Sequence, residues 1–146
     1  MKRKTIKDKK KKLPPLKRRR KVLWELCKLI VRKRYVKLGG TWDCYTCGSM
    51  IDEASKAHTS HCIPQAFGGL LLRYDLRNLR VTDFRCNVNY GGNAGVYLWK
   101  LLKEIGFVEV NKMFELLDKR KEKVDNEREF IENLIVEYRT ILSDLK

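Results

Sequence analysis

Residues 41–93 read TWDCYTCGSMIDEASKAHTSHCIPQAFGGLLLRYDLRNLRVTDFRCNVNYGGN and hold four of the five cysteines and both histidines of the chain. The segment begins with a C-x2-C knuckle, Cys44-Tyr-Thr-Cys47, followed directly by Gly48. Two thiolates at this spacing can chelate one tetrahedral metal ion, and the glycine permits the tight turn that closes the knuckle. The knuckle therefore predicts one half of a structural metal site.

The second half of that site is predicted at Asp83-Phe-Arg-Cys86, which has the same two-residue gap. An aspartate stands where a further cysteine is expected, and zinc accepts a carboxylate oxygen. Zinc binding would contribute folding free energy on the order of 10 kcal/mol. Cys62, His58 or an unfilled position are alternatives for the fourth ligand, and buried thiols are the alternative for the knuckle. The favoured structural Zn²⁺ ligands are Cys44, Cys47, Asp83 and Cys86.

The whole net charge of +15 lies in the first 40 residues. They carry 18 basic and 2 acidic residues, against 15 basic and 16 acidic in residues 41–146. Such a block binds a polyanion or stays a mobile tail, and nucleic acid is the commonest partner. An anionic membrane surface is the competing interpretation, but no run of 18 apolar residues occurs, so we expect no membrane span. Because the N-terminus lacks the apolar core of a secretory signal, we expect an intracellular protein with reduced cysteines.

Two segments are predicted before the core. Residues 1–20 are low in complexity and contain Pro14-Pro15, which predicts a disordered basic arm. Residues 21–40 carry apolar side chains at roughly helical spacing until Gly39-Gly40. This pattern predicts a basic amphipathic helix.

Residues 41–106 form the predicted zinc-containing core, which ends with a helix that stops at Gly106. Residues 107–146 are predicted to form a helical hairpin or coiled coil, in which Asn126 followed by Glu129 resembles a capping box. The seam would support a homodimer, and packing on its own domain is an equal alternative. This seam is an apolar stripe with the 3-4-3-4 spacing of a coiled coil. Its residues are Ile131, Leu134, Tyr138, Ile141 and Leu145.

The order of motifs resembles that of HNH, or His-Me finger, nucleases and, more narrowly, that of the phage NinG (Rap) recombination proteins. The knuckle is followed by His61-Cys-Ile-Pro64, then by Asn78 within Asp-Leu-Arg-Asn-Leu, then by Cys86-Asn87. A basic stretch from Leu23 to Arg34 precedes these motifs and a charged helical tail follows them. The resemblance covers roughly residues 21–146.

The resemblance implies an α+β fold, with a small zinc-bound ββα-metal (HNH, treble-clef-like) core, an N-terminal basic helix and long C-terminal helices. It implies that His61 is the general base that takes a proton from the attacking water. Asn87 matches a ligand of the catalytic divalent metal, Mg²⁺ or Mn²⁺, in the related phage endonuclease VII. Asn78 matches the HNH asparagine that braces the loop beneath the base, which is a structural role.

The chain departs from the HNH pattern immediately before the base. Many HNH enzymes place an acidic or histidine metal ligand there, whereas this chain has Ser60. On a regular strand, His58 shares a face with Ser60, and His61 points to the other face. His58 could therefore replace the missing catalytic metal ligand only if a bulge or turn re-aims it.

The expected function is that of an HNH-type, metal-dependent DNA endonuclease, because hydrolysing a phosphodiester needs an activated water and a cation. A neutral imidazole suits the first task and an amide oxygen that binds a hard ion suits the second. As the resemblance implies, the substrates would be branched recombination intermediates such as Holliday junctions or D-loops, in the cytoplasm of an infected bacterial host. The alternatives are a zinc-stabilised nucleic-acid-binding module without nuclease activity and, ranked last, a basic RNA-binding or ribosome-associated zinc protein.

Arginines and lysines are predicted to hold the DNA backbone without reading bases. One group lies on the arm and first helix, and the other lies beside the motif residues. A solvated surface is the alternative for the second group. The predicted DNA-binding residues are Lys17, Arg18, Arg19, Arg20, Arg32, Arg34, Arg73, Arg77, Arg80 and Arg85.

Overall fold

A computed structural model describes residues 13–145. The fold is mixed α+β, as predicted, and consists mostly of helices with two small antiparallel sheets. A 3-10 turn at Leu76–Asn78, a second at Lys119–Lys121 and a π-helical turn at Arg85–Asn89, called the π turn below, complete it. The elements are α1 Leu16–Tyr35, β1 Trp42–Asp43, β2 Met50–Ile51, β3 His58–His61, α2 Gln65–Arg73, β4 Leu79–Thr82, α3 Ala94–Asp118 and α4 Glu127–Asp144.

Helix α1 begins and ends five residues earlier than the predicted segment 21–40. Pro15 precedes its first turn, a position where the missing N–H costs nothing, so the start at Leu16 is compatible with the proline. The prediction of a disordered arm is therefore wrong for residues 16–20, and for residues 1–12 it lies outside the described residues. The helix stops at Tyr35, and the turn before β1 closes with the Lys37 amide donating to Thr41.

Helix α4 packs along α1, and this packing settles the alternatives for the apolar stripe. Ile131, Ile135 and Tyr138 are buried in one core cluster with Leu23 and Ile30 of α1. The stripe therefore contacts its own domain and is not a free coiled-coil seam. The predicted capping box is present at the start of α4 and is formed by Asn126, whose side-chain oxygen accepts from the amide of Glu129 at 3.1 Å.

The first helical stretch of α3 ends at Gly106, as predicted, and a second helical stretch follows this break and continues to Asp118. Gly106 has φ +83°, a left-handed conformation that glycine adopts without steric cost, so the second half turns onto the core. There Val110 and Met113 are buried in a second cluster with Leu72 of α2. The predicted boundary at 106/107 thus coincides with the break in α3, whereas α4 packs against α1 and does not form a hairpin on α3.

Strands β3 and β4 position the residues that the HNH resemblance singled out. Their antiparallel register pairs His58 with Thr82 and His61 with Leu79, without a bulge. Since paired residues share a face, His61 lies on the side of Leu79, which belongs to the core cluster with α1, and His58 lies on the opposite side. In residues 13–145, no helix combines the length and the apolar character required to span a bilayer.

Candidate metal centre and surrounding polar residues

Four side chains form a cluster that could hold a metal ion, called the metal cluster below. The knuckle lies in the tight loop between β1 and β2, where the Gly48 amide donates to the Cys44 carbonyl at 2.8 Å and Gly48 has φ +77°. One ligand atom from each side chain lies within 4.8 Å of all the others. The structure thus brings together the four predicted zinc ligands, which are Cys44, Cys47, Asp83 and Cys86.

Asp83 is held as a carboxylate by its hydrogen bonds. Its Oδ1 accepts from the Cys86 amide at 2.7 Å, and its Oδ2 accepts from Ser49 Oγ at 2.7 Å. Partial burial would raise the pKa of Asp83, but these hydrogen bonds outweigh it and lower the pKa to about 2. Cys47 Sγ lies 3.3 Å from Oδ2. Three thiols and one ionised carboxylate form a donor set that suits tetrahedral zinc, so the residues present fit a structural ion.

The other two cysteines lie away from the metal cluster. Cys27 is buried on α1, and Cys62 is buried in the second core cluster with Tyr97. Burial raises the pKa of Cys27 to about 12 and that of Cys62 to about 11, so both remain protonated thiols near neutral pH. Neither is part of the metal cluster, and burial in the core is the role predicted for Cys27.

His58 and Asn87 meet on one face of the β3–β4 hairpin. Asn87 Nδ2 lies 3.5 Å from His58 Nδ1, and the ring of Phe84 meets the His58 ring edge-on, with centroids 5.7 Å apart. Both polar side chains are partly exposed. Asn87 directly follows Cys86 on the π turn, so the metal cluster also positions this asparagine. The two residues predicted as catalytic metal ligands thus lie side by side, but the regular register of β3 and β4 contains no bulge that would re-aim His58 toward His61.

His61 makes its contacts on the opposite face. Its ring stacks on Trp24 of α1, with centroids 5.3 Å apart and an interplanar angle of 6°. Its Nε2 lies 2.9 Å from the carbonyl oxygen of Arg73. A carbonyl only accepts, so Nε2 carries the proton in neutral His61 and Nδ1 keeps its lone pair. Burial lowers the pKa of His61, the Arg73 carbonyl raises it and the Arg73 charge lowers it, with a net decrease that favours the neutral ring.

Asn78 and Ser60 lie inside the structure. Asn78 is fully buried, and its side chain accepts from the Ile63 amide at 2.7 Å and donates to the carbonyls of Ile63 and Leu72. These bonds fix the chain just after His61, which is the bracing role that the resemblance implies. Ser60 is 2% exposed, so the position that carries a metal ligand in many HNH enzymes faces the interior here.

Several arginines predicted to bind DNA are engaged within the chain. Arg80 is 3% exposed, pairs with Glu104 at 3.0 Å and donates to the Leu79 carbonyl at 2.7 Å. Arg77 is held by Asp75 and Glu109. Carboxylates and carbonyls already occupy these guanidinium groups, which disfavours the predicted phosphate contacts of Arg77 and Arg80, and those contacts stay a prediction.

The arginines of α1 divide in a similar way. Arg19 makes a two-point pair with Glu132 of α4, with contacts of 2.5 and 2.6 Å, and Arg20 pairs with Glu127. Both guanidinium groups are thus paired within the chain, and their role in DNA binding stays a prediction. Arg32 donates to the Ala57 carbonyl at 3.1 Å. Arg73 lies partly buried over the ring of Tyr74. Those left exposed are Lys17, Arg18, Arg34 and Arg85.

Glu104 and Trp24 were missed in the sequence analysis. Glu104 of α3 accepts from Arg80, from Tyr35 at 2.9 Å and from Tyr45 at 2.7 Å. It ties α1, the knuckle and β4 to α3. Nothing in the local pattern marks either residue, because Glu104 has the spacing of a solvated helix charge and Trp24 that of an ordinary apolar position.

The comparisons with known proteins give a family and no closer relative. No curated protein and no solved structure matches the chain. The family model described as Bacteriophage Lambda NinG protein matches residues 1–146. This match agrees with the family that the order of the motifs resembles. The chain therefore belongs to the family of the phage lambda NinG protein, a family of phage proteins related to recombination.

Proposed function

We propose that this protein is a metal-dependent DNA endonuclease that hydrolyses phosphodiesters in branched recombination intermediates, such as Holliday junctions or D-loops, inside an infected bacterial cell. The observation that carries the proposal is the contact between His58 and Asn87, 3.5 Å apart on the hairpin beside the metal cluster. An imidazole nitrogen and an amide oxygen suit a divalent ion such as Mn²⁺, and the amide oxygen also suits Mg²⁺.

In this proposal the two metal sites have different tasks. The metal cluster offers four protein ligands, so an ion there leaves no open position and fixes the π turn. His58 and Asn87 would hold the catalytic ion, Mg²⁺ or Mn²⁺, which supplies charge neutralisation at the phosphate. Ser60 is turned inward and the register has no bulge, so in the proposal His58 holds the ion from the face of β3 opposite His61.

His61 has the electronic state of a general base. Its Nε2 is tied to the Arg73 carbonyl, its Nδ1 has a free lone pair and its lowered pKa keeps it neutral. Its ring lies on the α1 side of β3, whereas His58 and Asn87 lie on the other side. In the proposal the substrate reaches both faces at the end of β3, where His61 is the last residue.

The exposed cations define a smaller DNA-binding surface than the sequence suggests. Lys17, Arg18 and Arg34 on α1 and Arg85 on the π turn supply backbone contacts. On duplex DNA, each phosphate contact steepens the slope of the logarithm of the binding constant against the logarithm of the salt concentration by about 0.9. A charge-reversing change at Arg85 should therefore weaken binding and flatten its salt dependence, and the same change at Arg19 should mainly affect the contact with Glu132.

A homodimer through the C-terminal helices remains part of the proposal, on a different surface from the predicted stripe. Two active sites would suit symmetric cleavage of a junction. The second half of α3 exposes Phe107 by 74%, Val108 by 65% and Phe114 by 39%, and such side chains favour a protein contact. A monomer in analytical ultracentrifugation at micromolar concentration, with and without junction DNA, would remove this part of the proposal.

A second candidate function is a zinc-stabilised nucleic-acid-binding module without nuclease activity. The observation that favours it is the separation of His61 from the His58–Asn87 pair by the strand itself. A base and a metal-held phosphate must come within reach of one water molecule. If this separation persists when DNA is bound, the chain binds branched DNA and does not cut it.

The experiment that decides is cleavage of a labelled four-way junction and a matched linear duplex by zinc-loaded protein with Mg²⁺ or Mn²⁺. Wild type is compared with Asn87→Ala, His58→Ala and His61→Ala, and Arg19→Ala is the matched surface control. Loss of cleavage by about 100-fold or more with binding retained supports the assignment of each changed residue. Binding without cleavage by the wild type under either ion supports the second candidate.

A further inference from the structure

Two aromatic side chains stand exposed at the ends of the π turn. Phe84 is 53% exposed and Tyr90 is 65% exposed. Other aromatic side chains are also exposed, among them Phe67, Trp99 and Phe107, but these two flank the turn that carries Asn87. No packing need explains why two rings remain in solvent on a segment that also carries a predicted metal ligand, Asn87. Exposed aromatic groups of this kind mark surfaces that bind a partner.

Phe84 links this surface to the His58–Asn87 pair. Its ring meets the His58 ring edge-on at 5.7 Å, and its other side forms a wall of an open cleft. The cleft has a volume of about 230 Å³ and is also lined by Met50, which is 71% exposed. A group seated in this cleft would thus contact a side chain that touches His58.

Charges around the cleft restrict the occupant. Lys56 is paired with Asp52 and Glu53, so its charge is already compensated. The carboxylate of Asp83 also lines the cleft but belongs to the metal cluster, and Arg85 is the exposed cation at the rim. Tyr90 lies one π turn after Arg85, to whose carbonyl the Tyr90 amide donates at 3.0 Å. An aromatic ring at each end of the turn and one exposed cation between them suit a single unpaired nucleotide, whose base can stack on a ring and whose phosphate can pair with Arg85.

We propose that Phe84 and Tyr90 stack on an unpaired nucleobase of branched DNA and hold it beside His58 and Asn87, with Arg85 on its phosphate. Stacking needs a free base face, which a paired duplex does not present, so this site recognises unpaired nucleotides. The surface is independent of base identity, because every base has a π face. The inference rests on the proposed function only in assigning metal-dependent cleavage to the neighbouring residues His58 and Asn87.

The test uses gapped duplex DNA with 2-aminopurine in the gap, whose fluorescence is quenched by stacking. Full-length zinc-loaded protein is used without added Mg²⁺ or Mn²⁺, so binding is measured without cleavage. We expect quenching with the wild type, its loss with Phe84→Leu and Tyr90→Leu, and its recovery with Phe84→Trp. Gapped DNA should bind the leucine variants about 5- to 100-fold more weakly, with duplex affinity unchanged.

Phe67→Leu is the matched control, because this ring is 65% exposed but lies on α2, outside the π turn. Equal quenching by the wild type and both leucine variants would overturn the inference, as would equal losses on duplex and gapped DNA. Zinc content and circular dichroism identify a variant that has not folded. In that case Phe84→Trp is the test: retained quenching supports the inference, and lost quenching overturns it. If junctions are never cut but quenching depends on Phe84, the inference stands and the proposed nuclease falls.

Discussion

The α1–α4 helix pair and the segment of β3, β4 and the π turn are held together by different forces. The helix pair has an apolar interface flanked by ion pairs such as Arg19 with Glu132. The second segment depends on ligand atoms that meet within 4.8 Å and on buried polar bonds such as those of Asn78. In the helix pair, arginines that were predicted to bind DNA form ion pairs within the chain. In the second segment, the side chains predicted from cysteine spacing to bind a metal do lie together.

Removing a metal ligand should produce the largest effect and should separate the two regions. We expect Cys44→Ser to lose bound zinc and with it folding free energy on the order of 10 kcal/mol, since site formation and folding are coupled. Amide hydrogen exchange should accelerate in residues 41–93 while α1 and α4 keep their protection. Zinc is measured by mass spectrometry, and Cys27→Ala, outside the metal cluster, is the control. Equal zinc content in wild type and Cys44→Ser would contradict the predicted site.

Truncating the apolar stripe should break the helix pair. Ile135 is 1% exposed between α4 and α1, so Ile135→Ala should lower the free energy of unfolding by about 2–5 kcal/mol. The neighbouring Val136 is 65% exposed, and Val136→Ala should change it by less than about 0.5 kcal/mol. Denaturant titration of the zinc-loaded protein measures both. Similar effects of the two changes would mean that the stripe is not the packed face.

Exchanging two arginines should sharpen the contrast between structural and exposed charges. Arg80→Met leaves Glu104 without its cation, and we expect a loss of about 2–3 kcal/mol, since Glu104 remains 35% exposed and keeps part of its hydration. Arg85→Met should leave stability unchanged and weaken DNA binding. Each variant is measured by denaturant titration and by a gel shift at two salt concentrations. Equal losses of stability would refute the division of the arginines.

A pH series should reveal the smallest effect, at His61. Its folded-state pKa is lowered below the ordinary value of 6.5, chiefly by burial. The unfolded chain therefore takes up a proton below about pH 6.5 that the folded chain does not, and stability falls as the pH falls toward the lowered pKa, by at most about 1.4 kcal/mol per unit. His61→Gln should reduce this slope between pH 7 and 5. An unchanged slope would mean that His61 is not buried as the structure shows.

Much of the fold was predictable from local pattern. Helical spacing gave α1 and α4, and Asn126 with Glu129 gave the start of α4. The bounds of α1 were less accurate, because Pro15 is compatible with an earlier start, whereas Gly106 marks the predicted end of the first helical stretch of α3. The four metal ligands were predicted by spacing, because only thiolates and carboxylates that converge can satisfy one ion.

The sequence by itself determined the ligand set, the helices and the uneven distribution of charge, because each depends on residue type and short spacing. Only the tertiary structure decided which partner each group takes. It placed Arg80 against Glu104, the stripe of α4 against α1 and His58 beside Asn87. These contacts join residues that are distant in the chain. They form because a buried charge needs a partner of opposite charge and an apolar face needs to be covered.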